Sequence, residues 1–165
     1  MHRNSQKRFY NEYSTYFITT KTFNNYKYFQ NELLCELFIE ELKLCKKIKE
    51  FDLYAFCILY DHIHLLIRPG REYNISKIMF SLKKQFAHNV NRVIGINEMY
   101  VGEAGHEAGH EGGQALARLH LHQPHGARLH HDFDLYIKKL HEIFVQNKLF
   151  LPKFCWQSSF HDHII

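Results

Sequence analysis

Two runs of β-type sequence, residues 53–59 and residues 62–68, are separated by Tyr60 and Asp61 alone. A break that short leaves no room for a crossover, so the two runs are expected to be adjacent antiparallel strands joined by a tight turn. The first run, LYAFCIL, is almost continuously apolar and predicts a strand covered on both faces. In the second run His62 and His64 alternate with Ile63, Leu65 and Ile67, and Pro69-Gly70 ends it.

The flanking segments extend this pattern to a mixed fold. Residues 13–22 are rich in Thr, Tyr, Phe and Ile and read as another strand. Over residues 31–49 the period becomes helical, with Leu34, Leu37, Phe38, Cys45 and Ile48 on one stripe. Glu32 and Glu36 stand early in that helix and Lys46, Lys47 and Lys49 late, an order that complements the helix dipole. A second helix is predicted over 75–93, with Ile75, Ile78, Met79, Leu82, Phe86 and Val93 as its apolar stripe. Its polar face carries Lys77, Lys84, His88 and Asn91, with Lys83 and Arg92 beside it. Residues 133–150 regain helical spacing through Tyr136, Leu140, Ile143 and Phe144, and residues 154–160 read as a final strand.

Between residues 101 and 131 the composition breaks. That stretch holds seven of the chain's fourteen histidines and six of its eight glycines, but no Lys, Phe, Ile or Asn. It opens with a short repeat, GEA-GHEA-GHEG, and its residues have GC-richer codons than the AT-rich flanks. The expectation is one domain over residues 1–165, interrupted by a disordered, low-complexity insertion at 101–131.

An apolar content of 45% suffices for a core in a chain of 165 residues. The net charge of +4 is compatible with a nucleic-acid partner but is equally that of an ordinary solvated surface. Cys35, Cys45, Cys57 and Cys155 form no C-x-x-C pair and sit in apolar contexts, which predicts small core residues in a reducing compartment. Residues 1–8 are polar with no signal-type apolar run behind them, and no stretch approaches about 18 apolar residues. A soluble, cytoplasmic protein without a membrane partner is therefore expected.

Two histidine pairs carry possible chemistry. Side chains two apart on a strand share a face, so His62 and His64 project together while Ile63 packs behind. Two imidazole nitrogens side by side on a rigid strand suit a divalent metal with open positions for phosphate and water. An arbitrary H-x-H is more often without a ligand; here the apolar flanks and the basic helix that follows favour a site. The second pair, His106-Glu107-Ala108-Gly109-His110, matches the H-E-x-x-H signature of zinc proteases. That signature works on a helix, and Gly105, Gly109, Gly112 and Gly113 each cost one about 1 kcal/mol relative to Ala. With Leu116 where a third His belongs, the match is read as a by-product of the repeat, though a His-rich loop can bind metal adventitiously.

Residues 55–67, AFCILYDHIHLLI, resemble the HUH strand pair of single-tyrosine transposases, the insertion-sequence 200/605 type and the REP-associated tyrosine transposases. Asp61 fits the usual turn, whereas Tyr60 stands where a proline is common. Ser81-Leu82-Lys83-Lys84-Gln85-Phe86 with Asn91-Arg92 is similar to the family's next helix, and residues 156–165 to its W-Q-x-x-F-x-D-x-x-I segment. The resemblance implies a ferredoxin-like α+β fold, an antiparallel sheet with helices on one face, that dimerises and binds single-stranded DNA hairpins. It implies that His62 and His64 hold Mg²⁺ or Mn²⁺ at the scissile phosphate while a tyrosine attacks. Lys77, Lys83, Lys84 and Arg92 become phosphate contacts, although an ordinary solvated helix face accounts for them as well. In the family the nucleophile lies on a helix after the W-Q-x-x-F block, and no tyrosine here matches it. Tyr136 is on a predicted helix but precedes that block, so the expectation is a truncated copy. Two other readings stay open: a DNA-binding module without chemistry, and a metal-binding protein built on the His-rich loop.

Overall fold

A computed structural model describes residues 14–96, 124–158 and 160–165, with the backbone alone for 124–131. The elements run β1 (Tyr16–Lys21), two short 3-10 turns, α1 (Glu32–Lys49), β2 (Asp52–Leu59), β3 (His62–Arg68), α2 (Ile75–Val93), α3 (Pro124–Gln146) and β4 (His161–Ile164). The four strands form one antiparallel sheet in the order β2-β3-β1-β4. That order, with α1 between β1 and β2 and helices between β3 and β4, is the ferredoxin-like α+β arrangement expected. Contacts gather the chain into two compact units, residues 1–88 with 154–165, and residues 89–153.

In the first unit the sheet has two unlike faces. Tyr16 and Ile18 of β1 and Ile63, Leu65 and Ile67 of β3 are buried, while Phe17, Thr19, His62, His64 and Leu66 are only half-buried. The buried face is sealed by the apolar stripes of α1 (Leu34, Leu37, Phe38, Leu42) and α2 (Ile75, Ile78, Met79, Leu82, Phe86). Aromatic rings join these layers: Phe86 stacks on Phe29 at 5.8 Å and meets Phe38 and Phe154 edge-on at 5.2 Å. α1 starts where Asn31 Oδ1 accepts from the Leu33 N–H, and stops at Glu50, whose φ of 48° ends the helical path. Pro69-Gly70 then passes so near that turn that a Cβ on Gly70 would lie 2.3 Å from the Glu50 carbonyl oxygen.

Several expectations need correction. β2 is an edge strand exposed along most of its length, not one covered on both faces; only β3 flanks it. Consequently Cys57 is exposed, as is Cys155, and only Cys45 of the four free cysteines is buried. Residues 154–160 are not a strand: Phe154 and Phe160 are buried, but pairing there is a lone Thr22–Trp156 bridge, and β4 begins at His161. β1 is shorter than expected, Tyr16–Lys21, and the Trp156 indole N–H donates to the Lys83 carbonyl at 3.1 Å.

The second unit is helical. α3 starts at Pro124, within the stretch expected to be an insertion, and residues 101–123 fall outside the described residues. Its buried positions are Ile137, Leu140 and Phe144, whereas Ile143, expected on that stripe, is 39% exposed. α3 and the last turn of α2 are tied by Arg92 to Asp134 at 2.7 Å and by His141 Nδ1 to the Val93 carbonyl at 2.8 Å. That enclosure explains why Asn91, expected on the polar face of α2, is buried.

Candidate functional site

The hairpin that presents the two histidines is anchored at its turn. The Asp61 carbonyl accepts from the Thr22 N–H at 2.9 Å, the Thr22 hydroxyl donates to the Tyr26 carbonyl at 2.7 Å, and the Tyr60 carbonyl accepts from the Phe29 N–H at 3.0 Å. The turn is thus pinned to the end of β1 and to the segment before α1. Directly beyond it, β3 pairs with β1 in a register that sets Lys21 opposite His62 and Thr19 opposite His64. Opposed residues of an antiparallel pair point the same way, so Lys21, Thr19 and Phe17 share the open face with the histidines.

On that face the imidazoles of His62 and His64 lie edge-on with centroids 4.9 Å apart. His62 Nδ1 is 2.6 Å from Asp61 Oδ1. A carboxylate only accepts, so Nδ1 carries a proton, and in the neutral ring Nε2 keeps the lone pair. His64 Nδ1 is 2.9 Å from Thr19 Oγ1, and its ring stacks on Phe17 at 5.2 Å. The hydrogen bond from His62 holds the Asp61 carboxyl below the usual carboxylate range. Burial, then the neighbouring His62, hold His64 below the usual imidazole range, which favours its neutral, ligand form. Orienting one ring nitrogen through a carboxylate or hydroxyl while the other stays open is how ligating histidines are commonly held. Among the described residues no group of three or more His, Cys, Asp or Glu is placed to hold a metal ion. His62 and His64 thus stand as two imidazole donors on one face, without a third such donor beside them among the described residues.

The basic residues are not gathered around this pair. Lys77, Lys83 and Lys84 are on α2, in the helical layer behind the sheet, while the histidines are on its open face. Lys77 and Lys84 are exposed, the latter 5.9 Å from the Phe80 ring. Lys83 donates to the Gln157 carbonyl at 2.8 Å, and Arg92, in the second unit, is paired with Asp134. Lys83 and Lys84 border a cleft of about 490 Å³ whose other walls include Ser76, Phe80, Trp156 and Phe160. Tyr136 belongs to the second unit, where its ring meets Phe133 at 5.7 Å. His106 and His110 lie outside the described residues.

Reading the sequence alone missed the supporting residues Phe17, Thr19 and Thr22, and the carboxylate role of Asp61. The alternation of Phe17, Thr19 and Lys21 signals one face of β1. The register that sets Thr19 against His64 has no such local signal.

Comparison with known proteins agrees with the fold. Residues 11–109 match the family model for IS200-like transposases. The structure of a REP-associated tyrosine transposase bound to a REP hairpin is similar over 99% of this chain, with 16% identity and a TM-score of 0.51. This chain spans 62% of that protein's length. A candidate transposase from Deinococcus radiodurans R1 is similar over 100% of this chain and 86% of its own, with 14% identity and a TM-score of 0.50. No curated protein matches the chain by sequence. At such identities the structural likeness shows the fold, and the family rests on the match to its model, which covers more than half of the residues. The chain belongs to the family of IS200-like transposases.

Proposed function

We propose that this transposase binds single-stranded DNA at hairpin ends and cleaves and rejoins strands at a site built on His62 and His64. The observation that carries the reading is the pair itself: two imidazoles on one strand face, each with Nδ1 engaged, by Asp61 and by Thr19. With the His64 proton on Nδ1, both Nε2 atoms are available to hold Mg²⁺ or Mn²⁺, which when bound would polarise a phosphate oxygen. The protein's own contribution is to fix the two donors rigidly and to leave the face beside them open. Strand cleavage in this reading is attack of a tyrosine Oη on phosphorus with departure of the 3′-hydroxyl, giving a 5′-phosphotyrosine. Rejoining is the reverse attack by a 3′-hydroxyl, so the number of phosphoester bonds is unchanged.

No tyrosine is assigned as that nucleophile; Tyr136 is the candidate the sequence singles out. Lys77 and Lys84, exposed behind the sheet, would neutralise phosphates of the hairpin away from the reacting one, with Lys83 and Arg92 contributing if their present partners are released. A homodimer is part of the proposal. Tyr54, Phe56 and Leu59 on edge strand β2 are 39% or more exposed, and an apolar edge is a template for pairing with a second chain. Among the described residues no helix is long and apolar enough to cross a membrane, and the proposed place of action is the DNA of the cytoplasm.

The test is to incubate the protein with labelled single-stranded hairpins and Mn²⁺ and to score covalent adducts on a denaturing gel. An adduct lost in His62→Ala establishes the site, and mapping its tyrosine identifies the nucleophile. Retardation without an adduct would favour a DNA-binding module without chemistry. Metal binding that survives loss of His62 and His64 but not of residues 102–131 would favour the His-rich loop instead.

A further inference from the structure

β4 carries a second H-x-H, His161-Asp162-His163, whose place in the sheet the alternation of residues alone does not reveal. β4 pairs with β1 so that His161 is opposite Thr19 and His163 opposite Phe17. Thr19 and Phe17 are the open-face residues of β1 that touch His64. Both β4 imidazoles therefore point to the same open face as His62 and His64, with β1 between the two pairs. Asp162, opposite Ile18, turns to the other side.

The two pairs differ in what surrounds them. His62 and His64 are half-buried and have their Nδ1 atoms engaged. His161 and His163 are exposed on an edge strand, and among the described residues neither imidazole makes a hydrogen bond or ion pair. Both nitrogens of each ring are thus open to a ligand. Spacing supports a shared one. On β3 the same i, i+2 separation brings two rings to a centroid distance of 4.9 Å. Two nitrogens bound tetrahedrally at about 2.05 Å from one ion stand about 3.3 Å apart, which rings so spaced can reach by rotation about χ1 and χ2.

We propose that His161 and His163 form a second metal site, bidentate through imidazole, for a borderline transition-metal ion such as Zn²⁺, with water in the remaining positions. Imidazole donors suit Zn²⁺, Ni²⁺ or Cu²⁺, and here, unlike at the β3 pair, no substrate phosphate oxygen is proposed to complete the oxygen-rich shell that Mg²⁺ prefers. The site is separate from the one on β3. His64 and His161 flank Thr19 on opposite sides, two strand spacings or about 10 Å apart, whereas metals that share a reacting phosphate sit about 4 Å apart. The ion on β4 is therefore not a partner in a two-metal centre.

The experiment is a titration of the whole chain with Zn²⁺, followed by the backbone amide resonances of β4 in ¹H–¹⁵N spectra. This readout is local, so metal captured by the histidines of residues 101–131 does not imitate it. The expected result is that the His161–Ile164 resonances shift with Zn²⁺, shift little with Mg²⁺, and cease to respond in His161→Asn/His163→Asn. His62→Ala/His64→Ala should retain the β4 response, which separates this site from the proposed DNA-cleavage site. Four outcomes would overturn the proposal: β4 resonances that stay in place at every Zn²⁺ concentration the protein tolerates, an equal response to Mg²⁺, an undiminished response in the asparagine variant, or loss of the response with the β3 pair. The wild-type titration alone decides the first two, whatever the variants do to folding.

Discussion

β2 and β3 are neighbours in the chain and in the sheet, nearly equal in length and similarly apolar, yet their side chains meet different surroundings. Ile63, Leu65 and Ile67 of β3 are at most 1% exposed, while Tyr54, Phe56 and Leu59 of β2 are 39% or more. β3 lies between β1 and β2 with helices over one face; β2 ends the sheet, and its pairing slips at a bulge between Leu53 and Ala55. The bulge re-aims Tyr54, and beyond it each side chain has a paired strand on one side only. Apolar character thus does different things in the two strands: in β3 it makes the core that holds the histidines in place, and in β2 it leaves an exposed apolar edge.

The comparison predicts its largest effect in the core. Leu65→Ala should lower unfolding free energy by about 2–5 kcal/mol in chemical denaturation, as truncation of a buried Leu does. Leu59→Ala on β2 should cost within about 1 kcal/mol, since more than a third of that residue is hydrated already. Equal costs would mean that β2 is covered in solution, and a concentration dependence of the Leu59→Ala cost would identify the cover as a second copy.

A second effect is expected where β3 leaves the sheet. Gly70→Ala sets a methyl group against the Glu50 carbonyl and should cost about 1–3 kcal/mol by the same measurement, because backbone on both sides resists the shift. A neutral substitution would show that this end of the hairpin is as loose as the edge.

Thiol chemistry sharpens the contrast without altering stability. Cys57 of β2 should react with an aromatic disulfide reagent on mixing, as should exposed Cys155, whereas Cys45 should react only on unfolding. Burial pushes the Cys45 thiol up to about 12, so thiolate is scarce there at any ordinary pH. The linkage has a sign: the contribution is fully present below the thiol value of the unfolded chain and is lost as pH rises towards about 12. Protection of Cys57 together with Cys45 would again point to a covered β2.

The smallest effect should come from the ion pair between the strands. Arg68 donates to Asp52 through Nε and Nη2 at 3.0 and 2.7 Å, but both side chains are exposed and screened. In a double-mutant cycle the coupling should be slight and should vanish in high salt. A coupling that resists salt would mean this end of β2 is shielded from water.

Much of the fold was legible because it is local. The stripe Ile75, Ile78, Met79, Leu82, Phe86 and Val93 is buried throughout α2, and Asn31, Glu32 and the late lysines mark the ends of α1. The hairpin followed from a two-residue break, and the shared face of His62 and His64 from the pleat of a strand. Less legible was anything that depends on which strand lies beside which. LYAFCIL reads as a buried strand, and nothing in it announces an edge. Residues 154–160 look strand-like because Phe154, Trp156 and Phe160 alternate, yet those aromatics serve the core and the strand follows them.

The sequence by itself determined most of the elements, the α+β class, the family and the pairing of two imidazoles on one strand face, since each rests on residues near in the chain or on a motif. Only the tertiary structure decided that β1 runs between two histidine pairs, that Thr19 and Asp61 orient His64 and His62, and that the α2 lysines stand behind the sheet. Strand order and register come from long-range pairing and from how apolar faces close over one another, and no spacing along the chain records that choice.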